Sequence, residues 1–291
     1  MAYTIRELEA LSGIKAHTIR IWEQRYNFLR PARTDTNIRT YNNEELKTLL
    51  TVALLNKSGY RISRIDEMQP QQRLDAVMKT GNPSVLEEHS INQLIGFMVD
   101  LKSNEFENHL NATIEQQGLE KTVTGLLFQF LQKVGILWQT NKLLPVQEHI
   151  VSNIIRQKLI AAVDAQQTTA TEGAVYALFL PEGEHHEMGL LYVNYLLKKA
   201  RRTVIYLGAN VPLKDMQYFL KVKKPGYLYM HLTTAPRQQY FEKLLQTLHE
   251  ALPGGTILVS GKATESYRKT LPTNVTFFQS LPEVVSYINK A

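Results

Sequence analysis

The chain has 291 residues, with 33 Lys and Arg against 27 Asp and Glu and a net charge of +6. That length exceeds one ordinary domain, and 44% hydrophobic residues are enough for real cores, which excludes a disordered protein. There is no cysteine, so disulfides, thiolate zinc sites, iron–sulfur clusters and cysteine catalysis are excluded too. No apolar run reaches the length of a membrane span and no signal-peptide core opens the chain, so a cytoplasmic protein with no membrane role is expected. The positive balance is modest and compatible with a polyanionic partner.

Residues 1–68 read as short helices with turn breaks and clustered arginines. Thr4 is placed to cap a first helix, "IRELEALS", which Gly13 ends. Lys15 to Arg25 form a second helix after a tight turn. In such a unit the second helix enters the major groove, and Arg20 and Arg25 lie on a face that reaches phosphates or bases. "LRPARTDTNIRTY" is too polar for another helix, and Pro31 would break one. It reads as a short β-ribbon wing whose arginines straddle the DNA backbone, with Trp22, Tyr26 and Phe28 seating the wing on the helix pair. The bland alternative is a small helical domain with a solvated basic rim.

Residues 70–167 carry apolar side chains at three- and four-residue spacing through "PSVLEEHSINQLIGFMVDLK", "SNEFENHLNATIEQQ", "GLEKTVTGLLFQFLQKVGILWQT" and "PVQEHIVSNIIRQKLIAAVDAQQ". This predicts a four-helix bundle. Trp138 closes one of its helices, and Glu148 and His149 open the next, beyond Pro145. Two readings stand: a core tryptophan beside a glutamate favoured by the helix dipole, or a tryptophan capping a planar ligand with two polar side chains in the same gap.

"QQTTATEG" breaks the helical pattern, and residues 172–291 then alternate short apolar strands with helices. That pattern predicts an α/β domain with a flavodoxin-like, five-stranded parallel sheet covered on both faces. Directly after its first strand, "AVYALFL", comes "PEGEHHEMG". Ligands of open parallel sheets bind beyond the carboxyl ends of the strands. Here Glu184, His185, His186 and Glu187 crowd such a loop. Histidine is a good axial ligand for a transition metal, and a carboxylate two residues earlier can fix its tautomer. Gly189 would let a bulky planar ligand approach the start of the next helix. The competing reading is a solvent-exposed helix cap with incidental histidines.

"YTIRELEALSGIKAHTIRIWEQRY", followed by "L.P.RT..N.R.Y" and "EEL", resembles the winged-helix DNA-binding domain of MerR-type transcriptional regulators, over residues 2 to about 66. The resemblance implies a homodimer on a pseudo-palindromic, double-stranded promoter. It puts Thr18 and Arg20 on the recognition helix, and Arg33, Asn37, Arg39 and Tyr41 in the wing. Members typically continue into one long coiled-coil helix; here a bundle and an α/β domain follow, so sensing is expected in those.

Glu184-x-His186-x-x-Gly189 resembles the acid-x-His-x-x-Gly signature of cobalamin-binding domains. It implies that His186 replaces the cofactor's own base as the axial cobalt ligand, with Glu184 orienting it. "LGANVP", after the second strand, is similar to the same fold. That family lines the channel for the nucleotide tail with a serine or threonine after strand three and Gly-Gly after strand four. Thr233 or Thr234 in "HLTT" fits the first position, whereas Ser260-Gly261 in "VSGKA" departs from the second.

The three modules in this order, with W-x9-E-H in the bundle, resemble the light-sensing cobalamin regulators of the CarH/LitR type. Their likeness implies a cobalamin, adenosylcobalamin or methylcobalamin, between bundle and α/β domain, with Trp138, Glu148 and His149 in the upper pocket. It also implies a homodimer or homotetramer that represses transcription. Those sensors carry a histidine after the bundle tryptophan; this chain has Gln139. Two further readings are a cofactor-free MerR-like regulator whose α/β domain binds a protein, and a corrinoid methyl carrier, which would have no use for residues 2–66.

Overall fold

The computed structural model describes residues 2–166 and 173–290. Most of the expected break in "QQTTATEG", with the bundle end at 167 and the α/β start at 172, lies outside the described residues. The chain divides into two compact units, 1–154 and 155–291.

The first unit opens with α1 (Ile5–Ser12). The backbone N–H of Thr4 donates to Glu7 Oε2 at 2.5 Å, and Gly13, at φ +74°, ends the helix in the left-handed region. α2 (Ala16–Arg25) follows, one residue later than the spacing suggests. The wing is a two-stranded ribbon, β1 (Ala32–Arg33) antiparallel to β2 (Arg39–Thr40). α3 (Asn43–Lys57) starts at an Asn42 cap and packs Leu46, Leu49 and Leu50 into a core with Leu8, Leu11 and Ile19. α4 (Ile62–Glu67) and α5 (Pro70–Lys79) lead into the bundle.

The bundle helices are α6 (Pro83–Val99), α7 (Ser103–Gln117), α8 (Leu119–Lys121) with α9 (Phe128–Gln139), and α10 (Pro145–Asp164). Between α8 and α9 the chain widens into a π-helical stretch, Thr122–Leu127, which the periodicity does not reveal. Within the first unit, α3 and the bundle share a polar tie. The Val99 carbonyl accepts from Asn43 Nδ2 at 3.2 Å and from buried Gln147 Nε2 at 2.9 Å, while Lys47 and Asp100 pair at 2.6 Å.

The second unit is a parallel sheet of β3 (Tyr176–Pro181), β4 (Val204–Val211), β5 (Tyr227–Leu232), β6 (Thr256–Gly261) and β7 (Val275–Phe278), in spatial order β4-β3-β5-β6-β7. This is the doubly wound flavodoxin-like order, whose direction switches between β3 and β5. Helices α11 (Met188–Lys199), α12 (Leu213–Lys223), α13 (Gln238–Ala251), α14 (Lys262–Ser266) and α15 (Leu281–Lys290) follow the strands in turn. Strand alternation sends Leu228, Met230 and Leu232 into a core with Met216 and Leu220 of α12 and Phe241 and Leu244 of α13. Tyr229 and His231 therefore take the opposite face.

One sequence expectation changes here: "LGANV" does not follow the second strand but completes it. The strand reaches Val211 because Gly208 (φ +81°) and Asn210 (φ +57°) absorb two register shifts against β3. Among the described residues, no helix is long and apolar enough to cross a membrane.

Candidate functional site

In the first unit, α2 leaves Arg20 and Arg25 exposed and Thr18 half-buried, with Thr18 Oγ1 3.3 Å from His17 Nε2. Arg33 and Asn37 are exposed in the wing and joined by a 2.6 Å bond from Arg33 Nη1 to Asn37 Oδ1. Asn37 takes φ +63°, and its N–H closes the turn on the Thr34 carbonyl at 2.8 Å.

Of the wing residues proposed to meet DNA, Arg39 is half-buried, and Tyr41 is placed otherwise. Tyr41 is fully buried, pairs its backbone with Tyr3, and donates its hydroxyl to Glu23. The other oxygen of Glu23 accepts from Arg39 Nε at 2.7 Å. Glu23 sits in α2, so Tyr41 and Arg39 anchor the wing to that helix, and Tyr41 has no surface to offer a duplex. The three aromatics also pack on one another. Phe28 meets Trp22 edge-on at 5.9 Å and stacks on Tyr26 at 6.1 Å, with the Arg73 guanidinium of α5 over its ring.

In the bundle, Trp138 lies in the last turn of α9 and is 49% exposed, unlike a core tryptophan. Glu148 and His149 open α10 as expected, and their side chains pair at 2.9 Å (Oε2 to Nδ1). Exposed Leu144 and Val146 shortly precede them.

In the second unit, the loop after β3 folds back on itself. Glu184 is buried, and its Oε1 lies 2.6 Å from His186 Nδ1 and accepts the His186 N–H at 3.0 Å. Oε2 accepts the Thr234 N–H, from the loop after β5, at 2.9 Å. Burial alone would raise this carboxyl, but the bonds from His186 and Thr234 outweigh it and hold it at about 2. A carboxylate at Nδ1 keeps the proton there, so Nε2 carries the lone pair that a metal would take. The His186 side chain is 64% exposed, whereas the Glu184 side chain is only 6% exposed, so a large ligand can reach the ring. Among the described residues, no group of three or more His, Asp or Glu is gathered to hold a bare metal ion. One oriented imidazole instead fits a metal that brings its own equatorial ligands.

The neighbour Glu187 is held by Arg156 Nε at 2.5 Å and Tyr206 OH at 3.0 Å, which fixes the far end of the loop. Sequence reasoning passed over both partners, which lie far away along the chain.

The remaining candidates fall differently. Thr233 is exposed, and it is the Thr234 backbone that joins the site. Ser260 does not line an open channel: it is 1% exposed, and its Oγ bonds Tyr229 OH at 2.6 Å and His231 Nδ1 at 2.8 Å. Gly261, at φ +93°, is required because a Cβ would overlap the Leu232 carbonyl. Gly189 also admits a close neighbour, but the neighbour is the His231 ring rather than open space.

Burial pushes the His231 imidazole down to about 4, against the opposing pull of Glu184, so His231 is neutral in the fold at pH 7. A base whose folded pKa lies below its unfolded value binds more protons when unfolded, so the fold loses stability on acidification. We expect the thermal midpoint of the second unit to fall as pH drops from about 6.5 towards 4. Melting curves of His231→Asn should lack that slope; an unchanged slope would remove His231 as its cause.

A family model for MerR HTH regulatory proteins matches residues 3–72, and one for a B12 binding domain matches residues 90–162, which lie among α6 to α10. The chain is 28% identical over 273 residues to the HTH-type transcriptional repressor CarH of Myxococcus xanthus, covering 91% of each protein. It is 27% identical over 293 residues to the repressor CarA of the same organism, covering 100% of this chain and 97% of the relative. The monomethylamine corrinoid protein of Methanosarcina barkeri shares the fold, with a TM-score of 0.55 at 13% identity, over 70% of this chain and 99% of the other. The chain thus joins a MerR-type helix-turn-helix domain to a B12-binding domain and is homologous along its length to HTH-type transcriptional repressors.

Proposed function

We propose that the chain is a DNA-binding repressor, acting in the cytoplasm as a homodimer or homotetramer, whose grip on a pseudo-palindromic promoter is set by a bound cobalamin. The observation that carries this is the Glu184–His186 pair, buried at its carboxylate end and open at its imidazole end, beyond the carboxyl end of β3. His186 would hold the cobalt through Nε2, with Glu184 fixing its tautomer. Trp138, Glu148 and His149 would contact the cofactor's organic ligand: the exposed indole can cover an aromatic base, and the paired polar side chains can bond sugar hydroxyls. When bound, the corrinoid supplies a cobalt–carbon bond that light or substitution can break. Gln139, an amide, offers no second imidazole after Trp138, so a bis-histidine state formed at that position is not expected.

The test is an absorbance spectrum of the full-length protein incubated in the dark with adenosylcobalamin or methylcobalamin and then desalted. It is repeated after illumination, with duplex binding measured in parallel. We expect retained cobalamin with a histidine-on spectrum and a change in DNA affinity between the loaded and unloaded states. Protein that keeps neither form after desalting would leave the cofactor-free regulator as the reading.

A further inference from the structure

Single exposed apolar side chains are ordinary on protein surfaces, and what matters is their company. On α2 the exposed residues are His17, Arg20, Ile21, Gln24 and Arg25. Their spacing of three and four residues puts them on one face of the helix. Ile19 and Trp22, which are buried, hold the opposite face against the core. Ile21 is 43% exposed near the middle of this stripe, and its companions there are all polar or cationic.

A β-branched residue is a poor choice there on folding grounds. In an exposed helix position it gains no packing, and its restricted χ1 lowers helix propensity relative to lysine or glutamine. The stripe belongs to the second helix of a MerR-type helix-turn-helix, the element that enters the major groove in such units. In that groove arginine pairs with guanine, glutamine pairs with adenine, and only thymine presents a methyl group. Arg20, Ile21 and Gln24 therefore match three different base edges, two by hydrogen bonds and one by apolar contact.

We propose that Ile21 is a specificity-determining residue that packs against the 5-methyl group of a thymine in each half-site of the bound duplex. The contact excludes water from two aliphatic surfaces and carries no charge. It therefore sets sequence preference, while the arginines supply the salt-dependent affinity. It rests on the DNA-binding part of the function proposed above and not on cobalamin.

The experiment uses full-length protein and a duplex that the wild type itself selects from a randomised pool, in the dark, with and without adenosylcobalamin. Each thymine of that duplex is replaced in turn by deoxyuridine, which pairs alike and lacks only the methyl. In wild type, one symmetric pair of replacements should weaken binding by about fourfold per half-site, the scale of one methyl group returned to water. Ile21→Ala should bind the thymine and deoxyuridine duplexes equally. Ile21→Val, which keeps the branched methyls, should keep most of the difference. The slope of log affinity against log salt should stay the same throughout, because no phosphate contact changes. If no replacement weakens wild type, or if Ile21→Ala stays as sensitive as wild type, the thymine contact is overturned while specific DNA binding stands. Light scattering in which Ile21→Ala loses a subunit, with thymine sensitivity unmoved, would give this face to a second copy of the chain instead. Wild type that selects no duplex in either condition would overturn both the contact and the DNA-binding reading.

Discussion

Reversing Arg20 and Arg25 together to glutamate removes specific duplex binding. Both side chains are exposed on α2, the second helix of the helix-turn-helix, and arginine forks are suited to bidentate contacts with phosphates and guanines. Each lost contact of that kind costs about 1–3 kcal/mol, and the introduced carboxylates repel the backbone as well, so a fall of about a hundredfold or more is expected. Neutral Arg20→Ala and Arg25→Ala changes should each lower the slope of log affinity against log salt by about one, since each counterion-releasing contact is lost singly. The informative contrast is Tyr41→Phe. It removes a hydroxyl that touches Glu23 rather than solvent, so it loosens the wing but should leave the salt slope alone. Gel shifts with a duplex selected by the protein itself, run at several salt concentrations, read both quantities. Unchanged affinity in the double reversal would remove α2 as the reading helix.

The contrast between Arg20 and Tyr41 is one between local sequence signals and contacts made across the fold. Helix starts and stops were legible because they are local: the Thr4–Glu7 turn and the left-handed Gly13 act within one turn of the chain. The strand–loop–helix setting of Glu184 and His186 was legible for the same reason, since strand pattern, loop chemistry and helix period lie within some fifteen consecutive residues. What a side chain meets across the fold was not. Arg39 and Tyr41 look like a basic, aromatic wing, and only the packing of α2 brings Glu23 to both of them. Phe28 looks like a wing support, yet its cationic partner, Arg73, lies 45 positions later in α5. His231 had a usable signal. In "YLYMHL" the period of two puts it on the same face as Tyr229, away from Met230 and Leu232, which marks a histidine inside the sheet's other layer. The glycine that admits it, Gly189, lies 42 residues earlier, and no spacing rule links the pair.

The three residues of the β3 loop should separate in a fixed order when cobalamin binding is measured. His186→Ala removes the proposed axial nitrogen, so any cofactor still held should show the spectrum of a water-ligated or self-ligated cobalt, and affinity should fall the most. Glu184→Gln keeps size and burial but gives up the charge at the 2.6 Å bond to His186 Nδ1. The imidazole becomes less basic and less fixed, and loss of an outer partner of this kind costs about 10–100-fold in metal affinity. The same change weakens the bridge to the Thr234 N–H, so the loops after β3 and β5 lose a common anchor. His185→Ala should do least. His185 is exposed, and its backbone carbonyl, which the substitution keeps, is what accepts the Glu187 N–H at 3.0 Å. The readout is a dark titration with adenosylcobalamin followed by the histidine-on absorbance band. If His185→Ala loses that band and His186→Ala keeps it, the axial ligand has been assigned to the wrong ring, and the bond to Glu184 would serve only to hold the loop. If none of the three changes matters, the cofactor does not meet this loop, and the α/β domain must act through a partner of another kind.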